Sequence, residues 1–261
     1  MKSSDNKNNT IQRRRVILQK LMENGEVYVN ELSQSFKVSE VTIRNDLLQL
    51  EQKNLLLRVR GGAIKLEVNS ELDKNYSEKA RLHFQEKTHI GKSAAKLLEE
   101  HDTVIIGPGT TTTEMARNLP KDIELTVITN ALPVLHNLIS YQNLNLIVLG
   151  GRVGKRTGTL YGPIAEMGLK KFFADKVFLG ADGCDINRGL FTSDLESAQI
   201  IQMMITNARQ IILLVDSSKF TRKGMALVCP FEKVDIVVTD DGLSREDRHW
   251  LKEHEISLII A

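Results

Sequence analysis

Seven short aliphatic runs, DTVIIG, ELTVITN, NLNLIVLGG, DKVFLGAD, QIILLVDSS, DIVVTDD and SLIIA, recur along the last two thirds of the chain. Helical stretches such as SAAKLLEEH, TEMARNL, ESAQIIQMMITNA and REDRHWLKEH lie between most of them. A strand with no polar face must be covered on both sides, and alternation with helices supplies that cover. The pattern predicts an α/β fold with a mostly parallel sheet.

Six of the runs end in a glycine or polar loop: GPGTTTT, TNA, GGRVGKRTG, GADG, DSSK and TDD. In open α/β sheets ligands bind outside the carboxyl ends of the strands, so these loops are expected to converge on one crevice. In GPGTTTTEMAR, residues 107–117, Thr111 followed three residues on by Glu114 fits a capping box. A helix is therefore expected to start near Thr112, with the N–H groups of Gly109 to Thr113 facing outward at its positive end. That is a phosphate cradle, although it lacks the GxxxxGK[ST] spacing of an ATP-binding loop. The plain alternative is a strand-to-helix turn with ordinary caps.

Other residues are candidates for the same crevice. Asp182 follows a strand directly, Glu196 begins a helix and Lys219 closes the DSSK loop. Two carboxylates and a lysine suit sugar hydroxyls and a phosphate, and equally suit surface caps or ion pairs. Arg152, Lys155 and Arg156 offer an anion clamp or a solvated loop.

The front of the chain differs in charge. Residues 1–65 carry twelve Lys/Arg against seven Asp/Glu, a net of +5, while the whole chain carries +2. An anionic partner for this part is the implication. After a polar tail, QRRRVILQKLMENG sets Ile17, Leu18, Leu21 and Met22 on one stripe and ends at Gly25. NELSQSF predicts a short second helix with Asn30 as its N-cap. KVSEVTIRNDLLQLEQKN predicts a third, capped by Ser39, burying Ile43, Leu47 and Leu50 and stopping at Asn54. This spacing is a helix-turn-helix. Its reading face would hold Arg44 and Asn45, with Thr42 at the edge, for base edges or phosphates. LLLRVRGGAIKL then alternates apolar and basic residues around Gly61-Gly62, which predicts a hairpin wing carrying Arg58 and Arg60 along the DNA backbone or into a minor groove. Residues 67–86 are polar and read as a linker, partly helical.

VSEVTIRNDLLQLEQKNLLLRVRGGAI resembles the winged helix-turn-helix signature of the DeoR family of bacterial transcriptional regulators. Val38, Ser39, Thr42, Ile43, Arg44, Asp46, Leu47, Leu50, Glu51, Arg58, Gly61, Gly62 and Ala63 fall at the family's spacing. Asn45 stands where the family usually has a second arginine, and Asn54 where it usually has glycine. The resemblance continues through EKTHIGKSAAKLL, GTTTTEMA, VITNA, VLGGR, LYGPIAE, GADG and DSSKF. The polar stretch at 1–10 reads as a disordered tail, and the resemblance implies a DNA-binding domain at 11–65 and a linker at 66–85. It also implies an effector domain at 86–261, similar in fold to sugar-phosphate isomerases. By that resemblance Gly109, Thr110, Thr111 and Thr112 hold the phosphate of a sugar or polyol, with Asp182, Glu196 and Lys219 near the sugar. Ser39, Thr42, Arg44, Asn45, Arg58 and Arg60 face DNA.

Two functions of different class follow. The first is a repressor of a carbohydrate-utilisation operon, binding operator DNA as a homo-oligomer and relieved by a phosphorylated sugar. The second is a sugar-phosphate isomerase with an added DNA-binding head, which the carboxylates Asp182 and Glu196 would allow. The related isomerases carry a lysine followed by a glycine run near the acid cluster, and this chain does not. The regulator is the expectation, without enzymatic activity. With two cysteines and no Cys/His cluster, neither a disulfide framework, a metal site nor a cofactor is expected. No run reaches the ~18 apolar residues of a membrane helix, and a reducing cytoplasm fits best.

Overall fold

The structure, a computed structural model, describes residues 3–51, 55–59, 61–64, 71–155, 157–222 and 224–261. The chain divides into two compact units, residues 1–69 and 70–261.

The first unit contains helices α1 (Ser3–Asn24), α2 (Val29–Phe36) and α3 (Glu40–Glu51) and strands β1 (Glu26–Tyr28), β2 (Leu57–Val59) and β3 (Gly62–Ile64). Ile17 and Leu21 of α1 meet Leu32 of α2 and Ile43, Leu47 and Leu50 of α3 in one core, sealed by Val27, Leu56 and Ala63. Gly25 closes α1 at φ 80, in the left-handed region expected of it. Three details depart from the sequence expectation. Helix α1 reaches back to Ser3, into the stretch taken as a tail, because no Gly or Pro stops it. Helix α2 starts at Val29, and Asn30 does not cap it. Its entry is fixed by a tertiary bond instead, since the Val29 amide donates to the Gly61 carbonyl at 2.9 Å. The third is β1, which escaped notice: it pairs antiparallel with β3 and turns the hairpin into a three-stranded sheet in the order β1-β3-β2. A side chain at Gly62 would meet the Val27 carbonyl at 2.2 Å, so the wing glycine is required by this close approach. Asn54, Arg60 and Gln52 lie outside the described residues.

The second unit opens with α4 (Glu71–Arg81) and α5 (Phe84–Ala95). There follow β4 (Thr103–Ile106), α6 (Thr110–Arg117), β5 (Leu125–Thr129), α7 (Leu132–Leu138), β6 (Leu144–Val148), β7 (Arg152–Gly154), β8 (Thr159–Tyr161) and α8 (Pro163–Leu169). The rest is β9 (Ala174–Leu179), β10 (Gly183–Asp185), β11 (Gly189–Thr192), α9 (Leu195–Thr206), β12 (Ala208–Leu214), β13 (Ala226–Cys229), β14 (Ile236–Thr239), α10 (Arg245–Glu253) and β15 (Ser257–Ile260). The seven aliphatic runs are the seven strands of one parallel sheet, in the order β15-β14-β12-β9-β4-β5-β6.

Alternation along each strand feeds two cores. Val104 and Ile106 of β4 pack with Ile90, Met115 and Val134 of α5, α6 and α7, while Ile105 packs on the other face with Ala198, Met204 and Leu251 of α9 and α10. Both faces of the sheet are thus covered, as its lack of a polar face demands. Helix α5 approaches α6 closely enough that a β-carbon at Gly91 would meet the Met115 nitrogen at 2.6 Å. The expected helix SAAKLLEEH instead ends at Ala95. Leu97 and Leu98 turn tightly onto the carbonyls of Ala94 and Ala95, and Asp102 Oδ2 accepts the Glu99 amide at 2.8 Å, which draws the chain into β4. Two small antiparallel sheets, β7-β8 and β10-β11-β13, were not expected.

Sequence order places a switch point in the large sheet. From β4 the chain proceeds outward through β5 and β6, then returns to β9 on β4's other side and continues through β12, β14 and β15. The two adjacent connections that leave β4 and β9 run in opposite directions across the sheet, which opens a crevice at their carboxyl ends.

Candidate functional site

On the first unit, α3 buries Ile43, Leu47 and Leu50 and presents Val41, Arg44 and Asn45 to solvent. Ser39 Oγ accepts the Thr42 amide at 3.2 Å and meets Thr42 Oγ1 at 2.9 Å, so the expected cap is made and both hydroxyls sit at the helix start. Arg44 pairs with Glu40 one turn earlier at 2.6 Å, an exposed contact that a stronger anion can displace. Arg58 on β2 is exposed, with its amide donated to Glu51 Oε1 at 3.1 Å, so the wing is tied to the end of α3. Ser39, Arg44 and Asn45 are exposed and Thr42 is half-buried at the start of α3; Arg60 lies outside the described residues.

Beneath α3, Asp46 is 2% exposed and takes Arg13 at 2.5 Å and Arg14 at 2.7 Å. The sequence marks Asp46 only as part of a spacing; its work is to bind two cationic side chains of α1 into the core.

On the second unit, the switch point opens into a cavity of about 500 Å³. Gly109, Thr110, Thr111, Asp182, Glu196 and Lys219 all line it. Six of the seven residues singled out for this site therefore converge. The seventh, Thr112, does not line it: its side chain is fully buried and its hydroxyl donates to the Gly109 carbonyl at 3.0 Å. Thr113 bonds the same carbonyl through both Oγ1, at 2.7 Å, and its amide, at 3.1 Å. The threonines thus anchor the first turn by back-bonding, and the capping box is not formed. Helix α6 begins at Thr110 after Gly109, whose φ of 154 and ψ of 157 suit glycine alone. Glu114 is committed elsewhere, to Arg117, and burial raises its carboxyl above the usual range. Amides of the first helical turn have no carbonyl partner within the helix, which leaves this end suited to an anion.

Asp182 follows β9 directly. Its Oδ1 accepts Lys79 Nζ at 2.7 Å, while Oδ2 accepts the Ser193 amide at 3.0 Å and the Thr192 hydroxyl at 3.3 Å. Burial alone would raise its carboxyl, but Lys79, Lys219 and the Ser193 bond outweigh it and hold the group below the usual range. Lys219 lies in a short 3-10 turn (Ser217–Thr221), and burial lowers its ammonium against the opposing pull of Asp216 and Asp182. Asp216 is 1% exposed, and its Oδ2 is without a hydrogen-bond partner.

The far wall comes from the β7-β8 hairpin. Arg152 donates to both carboxylate oxygens of Glu196, so these two candidates form one exposed pair. Gly154 makes room for the Tyr161 ring, which a β-carbon there would meet at 2.1 Å. Tyr161 Oη bonds Thr157 Oγ1 at 2.7 Å, and Lys155 also lines the cavity. Helix α9 is capped by Asp194, which accepts the Ser197 amide at 2.8 Å. Two of the six loops stay outside the cavity lining. The TNA loop braces β8 through Asn130, and the TDD loop holds Ser217 through Asp240. Sequence reasoning missed Tyr76, Lys79 and Tyr161; Arg156 lies outside the described residues. No helix among the described residues is long and apolar enough to cross a membrane.

Comparison with known proteins matches residues 13–68 to a DeoR-like helix-turn-helix domain and residues 82–241 to a DeoR C terminal sensor domain. A putative aga operon transcriptional repressor of Escherichia coli O157:H7 is 32% identical over 97% of this chain and 94% of its own. The lactose phosphotransferase system repressor of Lactococcus lactis subsp. lactis is 36% identical over 87% of this chain and 90% of its own. The HTH-type transcriptional regulator IolR of Bacillus subtilis (strain 168) is 30% identical over 92% and 95%. Among solved structures, the sorbitol operon regulator SorC of Klebsiella pneumoniae aligns over 93% of this chain and 98% of its own, with a TM-score of 0.41 and 11% identity.

Proposed function

We propose, from the premise that this chain belongs to the DeoR family of transcriptional regulators, that it represses a carbohydrate-utilisation operon and releases it when a phosphorylated sugar or polyol fills the cavity. The observation that carries this is the pairing, in one chain, of an exposed Arg44-Asn45 face on α3 with a cavity that joins a helix start to Asp182 and Lys219. In this reading the amides around Gly109, Thr110 and Thr111, with Lys219, take the phosphate, and Asp182 and Glu196 take hydroxyls. Ser39, Thr42, Arg44, Asn45, Arg58 and Arg60 take the DNA, Arg44 and Asn45 at base edges or phosphates and the wing along the backbone. A homo-oligomer presents paired heads to repeated half-sites, because one small head buries too little surface for tight specific binding.

The isomerase alternative is disfavoured by the state of Asp182. Moving a proton between adjacent carbons needs a base whose affinity for protons lies near the working pH. Asp182 is instead held below the usual carboxylate range, and Glu196, the other candidate, is paired with Arg152. The deciding experiment measures binding of the full chain to its own upstream DNA by fluorescence anisotropy across a panel of sugar phosphates. Weakening by one member of the panel is the expected result; DNA affinity that none of them changes would reject the sensor, and conversion of any of them to its isomer would restore the enzyme.

A further inference from the structure

Helix α4 occupies the stretch taken from sequence as a linker, yet it is fastened at three points. Lys79 Nζ donates to Asp182 Oδ1 at 2.7 Å. Tyr76 Oη donates to Thr113 Oγ1 at 2.7 Å. Lys87, on α5 and 3% exposed, donates to the main-chain carbonyls of Lys79 and Leu82 at 2.5 and 2.6 Å, so a buried cation caps the end of α4. Tyr76 and Lys79 line the same cavity as Gly109 and Lys219.

The joint between α4 and α5 is only Leu82 and His83, and His83 stands at φ 53, a left-handed conformation that a β-carbon resists. Such a joint is a defined hinge with few alternatives. Lys87 grips it from below, and its ammonium is lowered by burial while Asp216 pulls the other way.

Asp182 brings this fastening into the cavity. Its Oδ2 is already engaged by Ser193 and Thr192, so Oδ1 is the oxygen through which a hydroxyl would bond, and Lys79 holds it. The Lys79 side chain is 49% exposed, and an ion pair that open to water is readily exchanged for a ligand hydroxyl.

We propose that the Lys79–Asp182 pair is a latch between α4 and the cavity, opened when a hydroxyl of the bound sugar phosphate takes Asp182 Oδ1. This rests on the cavity being the effector site. With the latch open, α4 keeps its bonds through Tyr76 and Lys87, and its last turn gains freedom about the Leu82–His83 joint. Helix α4 is the first described element after β3 in chain order, so the change falls on the first described helix that follows the DNA-binding head in the chain.

The test is amide hydrogen exchange over residues 71–81 of the full-length protein, paired with melting temperature. Wild type, Lys79→Met and Asp182→Asn are compared, each alone and with glucose 6-phosphate, galactose 6-phosphate, ribose 5-phosphate or inorganic phosphate. Without any probe, both variants are expected to exchange about fivefold faster than wild type in the last turn of α4, as loss of a weak ion pair implies. A sugar phosphate that raises the wild-type melting point should speed the same amides in wild type. It should still raise the melting point of Lys79→Met while leaving that variant's exchange unchanged. Exchange in probe-free Lys79→Met at the wild-type rate would overturn the latch. So would a Lys79→Met protein that folds but no longer responds to the sugar phosphate, since Lys79 would then be a plain ligand contact. If no probe shifts wild type, the effector reading fails, while the probe-free comparison still decides whether the pair restrains α4.

Discussion

Arg13 and Asp46 meet at 2.5 Å inside the core of the DNA-binding head, joining α1 to the helix that faces outward with Arg44. Asp46 is nearly inaccessible, and Arg13 and Arg14 offset its charge. Asp46→Asn is expected to cost about 1–3 kcal/mol, since two charged donors lose a charged acceptor. Amides of residues 13–50 should exchange faster, while those of the seven-stranded sheet keep their wild-type rates. Equal acceleration in both units would refute the local role.

Arg44 and Glu40 make opposite predictions for one property. Arg44→Ala should weaken operator binding by about 1–3 kcal/mol and leave any sugar-phosphate melting shift intact. Glu40→Gln removes the carboxylate that Arg44 contacts at 2.6 Å and should tighten operator binding. Anisotropy titrations at fixed salt measure both, and a Glu40→Gln protein that binds more weakly would show the pair to be an orienting contact instead.

Gly109→Ala tests the loop at the mouth of α6. Its φ of 154 is strained for a residue with a side chain, and the new methyl would meet Thr112 Oγ1 at 3.1 Å. Strain of about 1–3 kcal/mol is expected, read as a lowered melting point. The shifted first turn should also lose the melting response to sugar phosphates, and an undiminished response would remove this loop from the site.

The Asp182 carboxyl sets a pH dependence. Its folded value lies below the ordinary 3.8, so it stabilises the folded state above that value and the contribution is lost as pH falls through the folded one. The melting-point gap between wild type and Asp182→Asn should therefore hold steady from neutral pH down to about 4 and close under further acidification. A gap that closes already near neutrality would contradict the depressed value.

Cys184 and Cys229 should resist alkylation in the folded protein. Both are buried; burial pushes the Cys229 thiol up to about 11 and the Cys184 thiol higher still. Little thiolate exists at pH 8 in such surroundings. Iodoacetamide followed by mass measurement should find modification only after denaturation.

The sheet could be read in advance because its inner strands are buried on both faces and so carry aliphatic runs, which the partly exposed edge strands β6 and β15 share. The short strands β7, β8, β10, β11 and β13 had no such signature: they are three or four residues long and pair outside the large sheet, although Tyr161, Cys184, Leu190 and Val228 of theirs join its core. GTTTT revealed the place of the cavity but misled on its chemistry, because threonine hydroxyls that resemble caps in sequence bond backward to Gly109 in space. Lys79 was invisible for a different reason. Its partner Asp182 is 103 residues away, and nothing local distinguishes SEKAR from any other exposed helix. Glu196 was identified as a ligand candidate, yet Arg152 holds it, a pairing across 44 residues that no motif announces.

The position of β9 beside β4 has a consequence for the order in which the protein matures. Among the described residues, the strand pairings of the head close within 26–64, whereas Val104 at the centre of the sheet awaits Lys176 before its second neighbour exists. Pairings so distant along the chain form slowly, and N-terminal units fold first during synthesis. A newly made molecule therefore owns its DNA-binding surface before it owns its sensor.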